Sequence, residues 1–176
     1  MNRSLVYLGA AVLFAVAWAA PQAVPEEASR ASLKRPVIVA IVRHAEKDDE
    51  GQDPGLTAAG KLRATRLAAL FRKSKLDLLI ASDLKRTRET LEPVAKEKSM
   101  KISAIKEPVD VARAIKALRP GSTALVAHHS FSIRALLKEL GVSDAEAGAI
   151  DFDSHDNLLI VPYHADVETK SLTLSY

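Results

Sequence analysis

Pro36–Lys47 reads PVIVAIVRHAEK, and this stretch decides how the rest of the chain is read. Val37 to Val42 form an uninterrupted apolar run in which every residue but Ala40 is Val or Ile. A run this short and this β-branched suits a strand covered on both faces, as in a parallel sheet. It stops abruptly at Arg43-His44-Ala45-Glu46-Lys47. In open α/β sheets, ligands gather at the carboxyl ends of strands. An Arg and a His placed there can bind an anion and supply an imidazole.

The pattern repeats downstream. A polar loop, Lys47–Gly55, carries turn chemistry at Asp53-Pro54-Gly55, and Thr57 is placed to cap a helix running to about Lys73. Ala59, Leu62, Leu67, Leu70 and Phe71, with the stem of Arg66, are expected along its inner stripe. Gly60 marks close packing. Leu76–Ala81 predicts a second buried strand, followed by a helix capped by Ser82 or Asp83 that carries Arg86 in its first turns. Pro93 either kinks that helix or starts a new one. Lys101–Ile105 is a short strand, and Val109–Leu118 an amphipathic helix with Val109, Ala112, Ile115 and Leu118 inward. Thr123–Ala127 is a strand ending in His128-His129-Ser130, and the helix Ile133–Leu140 stops at Gly141. Strands at Asn157–Val161 and Ser171–Leu174 complete the set. This alternation predicts an α/β fold, a three-layer α/β/α sandwich with a mainly parallel central sheet.

Composition narrows the function. Of the 176 residues 48% are hydrophobic and 27% charged, ordinary values for a globular protein. The absence of Cys excludes thiol catalysis, disulfides and lipidation at an N-terminal Cys. The net charge of +3 falls to +2 if Arg3 is removed, and its interleaved signs give no nucleic-acid surface. Residues 1–20 read as a signal peptide, with Arg3 as the basic region, Leu5–Trp18 as the apolar core and Ala17-Trp18-Ala19 as the cleavage signal. That core falls short of the roughly 20 residues that span a bilayer. Cleavage near Ala19 or Ala20 is therefore expected, giving an exported, periplasmic or secreted protein with no stable membrane insertion. An uncleaved anchor is the alternative. Residues 21–35 read as a flexible Pro/Ala/Glu/Ser linker, and 36–176 as the single folded domain.

Three strands thus end in Arg43-His44, Ser82 followed by Arg86, and His128-His129. Along one sheet edge these converge as an anion pocket with imidazole chemistry. Arg forks match phosphate oxygens. A neutral His attacks phosphorus when its other ring nitrogen is held as a donor. A second, protonated His can stabilise the equatorial oxygens.

The ordered set Arg43-His44, Leu56-Thr57-x-x-Gly60, Ser82-x-x-x-Arg86-Thr87-x-x-Thr90 and His129-Ser130 resembles the histidine phosphatase superfamily, over essentially Val37 to Tyr176. That family includes phosphoglycerate mutases and small phosphohistidine phosphatases. The resemblance implies a phosphoglycerate-mutase-like fold, no metal or other cofactor, and a phosphohistidine intermediate on His44. Arg43, Arg86 and His129 would bind the transferred group, with Thr57 as a further substrate contact. His129 rather than His128 is chosen because adjacent strand residues face opposite ways. The common third motif residue is Gly, and here it is Ala45. The proton donor to the leaving group varies in the family. Glu107, after the third strand, lies where many members place it, and Glu46 and Asp110 are the other candidates. His155 and His164 lie outside the motifs and read as surface residues. The expected substrate is a phosphorylated small molecule or a phosphoprotein. A mutase fits less well, because the loops after Lys47 and Glu107 are short. A non-catalytic phosphate- or phosphopeptide-binding module and, more remotely, a metal-binding protein are the other readings. Oligomeric state is not legible.

Overall fold

A computed structural model describes residues 35–165 and 167–176. The expected signal peptide at 1–20, and the linker at 21–35 except its last residue, lie outside the described residues. A six-stranded sheet forms from β1 (Val37–Arg43), β2 (Leu78–Ala81), β3 (Ile102–Ala104), β4 (Thr123–His128), β5 (Asn157–Tyr163) and β6 (Leu172–Ser175). The helices are α1 (Ala58–Phe71), α2 (Lys85–Lys98), α3 (Pro108–Lys116), α4 (Ser130–Glu139) and the short α5 (Asp144–Gly148). The strand order is β3-β2-β4-β1-β5-β6. The first four strands of that order run parallel, while β5 and β6 are antiparallel to their neighbours. None of the described helices is long and apolar enough to cross a membrane.

The alternation of β1 builds both cores at once. Val39 and Ile41 face a cluster with Val111, Ile115, Ile133 and Leu137, from α3 and α4. Ala40 and Val42 face Leu67, Phe71, Leu91 and Val94, from α1 and α2. The sheet therefore carries helices on both faces. Arg43 and His128 are register partners at the carboxyl ends of β1 and β4, and His44 N–H donates to His128 O at 2.9 Å. Two strand ends far apart in sequence thus deliver their polar residues to one spot.

Several local expectations shift. On α1, Leu62 and Leu70 are 55% and 52% exposed, while Gly60, Ala64, Leu67, Ala68 and Phe71 are buried. The buried stripe is turned toward small residues because the helix presses against the chain leaving β1. Thr57 does cap it, accepting from Gly60 N–H at 3.1 Å. On α3, Pro108 takes the first turn and Val111, Ala112 and Ile115 face inward, leaving Val109 48% exposed. Helix α2 runs through Pro93 as one element, and α5 was not expected. Gly141, with φ of +82°, follows the C-cap of α4 as expected.

Gly60 bears on the site directly. A Cβ there would collide with the backbone carbonyl oxygen of Glu46, two residues beyond His44. Backbone cannot step aside as a side-chain tip can. Gly60→Ala is therefore expected to destabilise the fold by about 1–3 kcal/mol, read as a lowered urea midpoint, with reduced activity from a displaced His44.

Candidate active site

Ala45 is fully buried, and its N–H donates to Thr90 Oγ1 at 2.9 Å, tying the end of β1 to α2. Its carbonyl lies 2.8 Å from His44 Nδ1. A carbonyl only accepts, so Nδ1 carries the proton and Nε2 keeps a lone pair. Burial, reinforced by the nearby Arg86 and Arg43 cations, pushes His44 down from 6.5 to about 4. At neutral pH it is a neutral imidazole with a fixed tautomer and a bare Nε2.

The His129 ring stands edge-on to His44, with centroids 5.3 Å apart. Its Nε2 lies 2.9 Å from Ser82 Oγ, which is 2.8 Å from Thr87 Oγ1. Ser82 is thus engaged with His129; its Oγ accepts Leu84 N–H at 3.3 Å, but neither it nor Asp83 is the N-cap of α2 that the sequence suggested. Leu84 occupies the N-cap without a side-chain bond, and the Asp53 carboxylate accepts Lys85 N–H from across the loop at 3.0 and 3.1 Å. His129 is lowered to about 3, by burial first and then by Arg86. The second histidine, expected to be protonated, is therefore neutral at neutral pH.

His128 turns elsewhere. Its Nε2 bonds Ile105 O at 3.2 Å, and its Nδ1 meets Ser132 Oγ. It ties the end of β3 to the start of α4, and burial lowers its pKa as well.

Among the described residues, buried side-chain nitrogens without a partner are Arg43 Nε, Arg86 Nε and His129 Nδ1. All three belong to this site. Buried donors ordinarily find acceptors. The orphans fit an anion that supplies several oxygens. Arg43 also leans on Asp153, with Nη1 donating to its carbonyl and lying 3.6 Å from Oδ1. Arg86 Nη1 lies 3.9 Å from Asp53 Oδ1.

The other proposed residues separate. Glu46 is gripped by Arg63 through bonds of 2.7 to 3.0 Å, and that contact lowers its pKa. It is not free to carry a proton. Asp110 pairs with Arg113 at 2.7 Å. Glu107 is exposed and lines a hollow with His128 and His129. The Thr57 hydroxyl is occupied by its cap and by Glu46 O at 3.3 Å.

His155 corrects the surface reading. It is half-buried, its Nδ1 donates to His44 O at 2.7 Å, and its ring lies 5.5 Å from that of His44. It arrives on the irregular segment before β5, where no periodicity marks it. Asp53 also went unrecognised as a site-builder, while Thr90, quoted in the motif without a role, anchors Ala45 N–H. Among the described residues, no three metal-ligating side chains cluster.

The fold is an α/β fold of the phosphoglycerate-mutase-like kind, and its sheet edge gathers two arginines around two neutral histidines. Residues 39–108 match the model of the histidine phosphatase superfamily, branch 1. No curated protein matches it in sequence. Among solved structures, the protein histidine phosphatase SixA complexed with tungstate superposes with a TM-score of 0.67 at 18% identity, covering 79% of this chain and 97% of that one. SixA of Agrobacterium tumefaciens gives 0.62 at 20% identity, covering 80% and 99%. The mycobacterial glucosyl-3-phosphoglycerate phosphatase in complex with inorganic phosphate gives 0.60 at 14%, covering 80% and 96%.

The depressed histidines set a pH dependence. Between their ordinary 6.5 and the folded values of about 4 and 3, the unfolded chain binds protons that the folded chain refuses. Stability therefore falls as pH drops through that window and gains nothing from these groups well above it. Urea midpoints from pH 8 to 4 are expected to decline, with a shallower slope in the double variant His44→Asn, His129→Asn.

Proposed function

We propose that the chain is a metal-independent phosphatase acting through phospho-His44. The observation that carries the proposal is the neutral His44, proton fixed on Nδ1, beside three buried side-chain nitrogens without partners, two of them arginine donors. The Nε2 lone pair attacks phosphorus, forming the N–P bond as the P–O or P–N bond to the leaving group breaks. Arg43, Arg86 and His129 hold the equatorial oxygens, where charge concentrates during transfer. The leaving group takes a proton from Glu107 or from water. Water then attacks phosphorus, the N–P bond breaks, inorganic phosphate departs and Nε2 regains its lone pair.

The substrate is a phosphomonoester or a phosphohistidine, on a small molecule or a protein. Export, read from residues 1–20, belongs to the same proposal. It would be tested by the N-terminus of the protein recovered from the cell envelope.

Hydrolysis of an activated aryl phosphate by the full chain, with chelator present, tests the chemistry. His44→Ala should lower turnover by about 10³-fold or more, and no phosphoenzyme should be trapped. Strong inhibition by chelator, or undiminished activity in that variant, would overturn the proposal.

Arg86→Ala should cost about 10²–10³-fold in turnover and weaken vanadate binding. His129→Ala should fall comparably. His128→Ala should keep most activity and lose stability, since its bonds run to Ile105 and Ser132. The reverse ranking of the two histidine variants would show that His128 holds the phosphoryl group.

A further inference from the structure

Beside the phosphoryl site lies a second hollow of about 230 Å³, sharing Ser82 and His129 with it. Leu84, Pro108 and Phe131 supply its apolar walls, while the charged side chains along it, Asp83, Lys106 and Glu107, are exposed. Phe131 is the unexplained residue. It sits in the first turn of α4 and is 77% exposed, though its neighbours Ser132 and Ile133 are buried. Its ring lies parallel to His129, with 8° between planes and centroids 5.6 Å apart. It contributes little to the core, and its stacking partner is a histidine of the site.

We propose that this hollow is the leaving-group subsite and that it selects a flat aromatic leaving group. The inference rests on the phosphatase reading above and names the substrate class for the same site. Its placement follows from the shared residues, because a group attached to a phosphoryl held against His129 has this hollow beside it. Its size suffices, since an apolar cavity of about 150 Å³ already holds benzene. Its chemistry is selective, because aromatic rings prefer offset-stacked or edge-on partners, and Phe131 and His129 offer such surfaces. An aryl oxide also leaves readily. A phenol with a pKa of about 10 needs less protonation than an alcohol, which suits a site whose candidate acid, Glu107, is exposed. In the step itself, the N–P bond forms at His44 as the P–O bond breaks, and the electron pair leaves on the aryl oxygen.

Two readouts on the full chain separate this inference from the phosphatase reading. In calorimetry, phenylphosphonate should bind about 3–10-fold more tightly than methylphosphonate, the range expected of one aromatic stack. Phe131→Ala should erase that preference, and Phe131→Leu, which keeps apolar volume without a ring, should retain only part of it. In turnover, the kcat/KM ratio of phenyl phosphate to acetyl phosphate should fall by a similar factor in Phe131→Ala. Phe131 is exposed, so both variants are expected to fold. Equal binding of the two phosphonates, no binding of either, or a preference unchanged in Phe131→Ala would overturn the subsite. A Phe131-dependent preference without His44-dependent turnover of either phosphate would uphold the subsite and overturn the phosphatase reading.

Discussion

Two hydrogen bonds at Ala45 hold the site in place. The peptide N–H is anchored on Thr90, and the carbonyl takes the proton of His44 Nδ1. Both are buried, so losing either leaves a polar group without water, at roughly 1–3 kcal/mol. The consequence is chemical as well as structural. One nitrogen of His44 is committed, the other left bare, and the ring cannot exchange the two roles without giving up the bond. Burial of Ala45 also explains why a methyl group is accommodated here. It packs with Leu56 and Ala64 in a small cluster of its own.

Around that fixed ring the charges are distributed unequally. Arg63 is spent on Glu46 in a two-pronged pair. Arg43 and Arg86 meet only distant or solvent-exposed carboxylates, at 3.6 and 3.9 Å. Such pairs are weak in water, so both guanidinium groups keep most of their field for a ligand. That same field, with burial, disfavours protonation of the two histidines. On the proposed function, a phosphoryl dianion would offset the cations and supply acceptors to the orphaned Arg43 and Arg86 nitrogens in one event.

Much of this was legible because the signals are local. The β-branched run of β1, its abrupt end in Arg43-His44, and the placement of Arg86 early in a helix are all written within a few residues. Strand alternation favoured His129 over His128, yet the two rings lie 5.3 Å apart and line one hollow, and only their partners differ. Interactions set by tertiary packing were not legible. Leu62 and Leu70 look like core by apolarity, yet the helix faces inward with Gly60 and Ala64 because the neighbouring backbone demands small residues. His155 looks like surface because it sits in an irregular segment, and only the antiparallel pairing of β5 with β1 carries it to His44. Asp53 caps a helix that begins 32 residues further on, a distance no local capping rule spans.

The strand order also determines when the protein can become whole. β1 is made first, but its neighbours are β4 and β5, the fourth and fifth of six strands. On the ribosome, the segment carrying Arg43 and His44 has no partner until β4 is made at Thr123–His128, and it lacks the second until β5 follows at Asn157–Tyr163. Pairings of such long sequence separation form slowly, and an unpaired apolar strand is an invitation to aggregate. The corner at Arg43-His44 therefore acquires its final geometry only once nearly all of the described strands have been made.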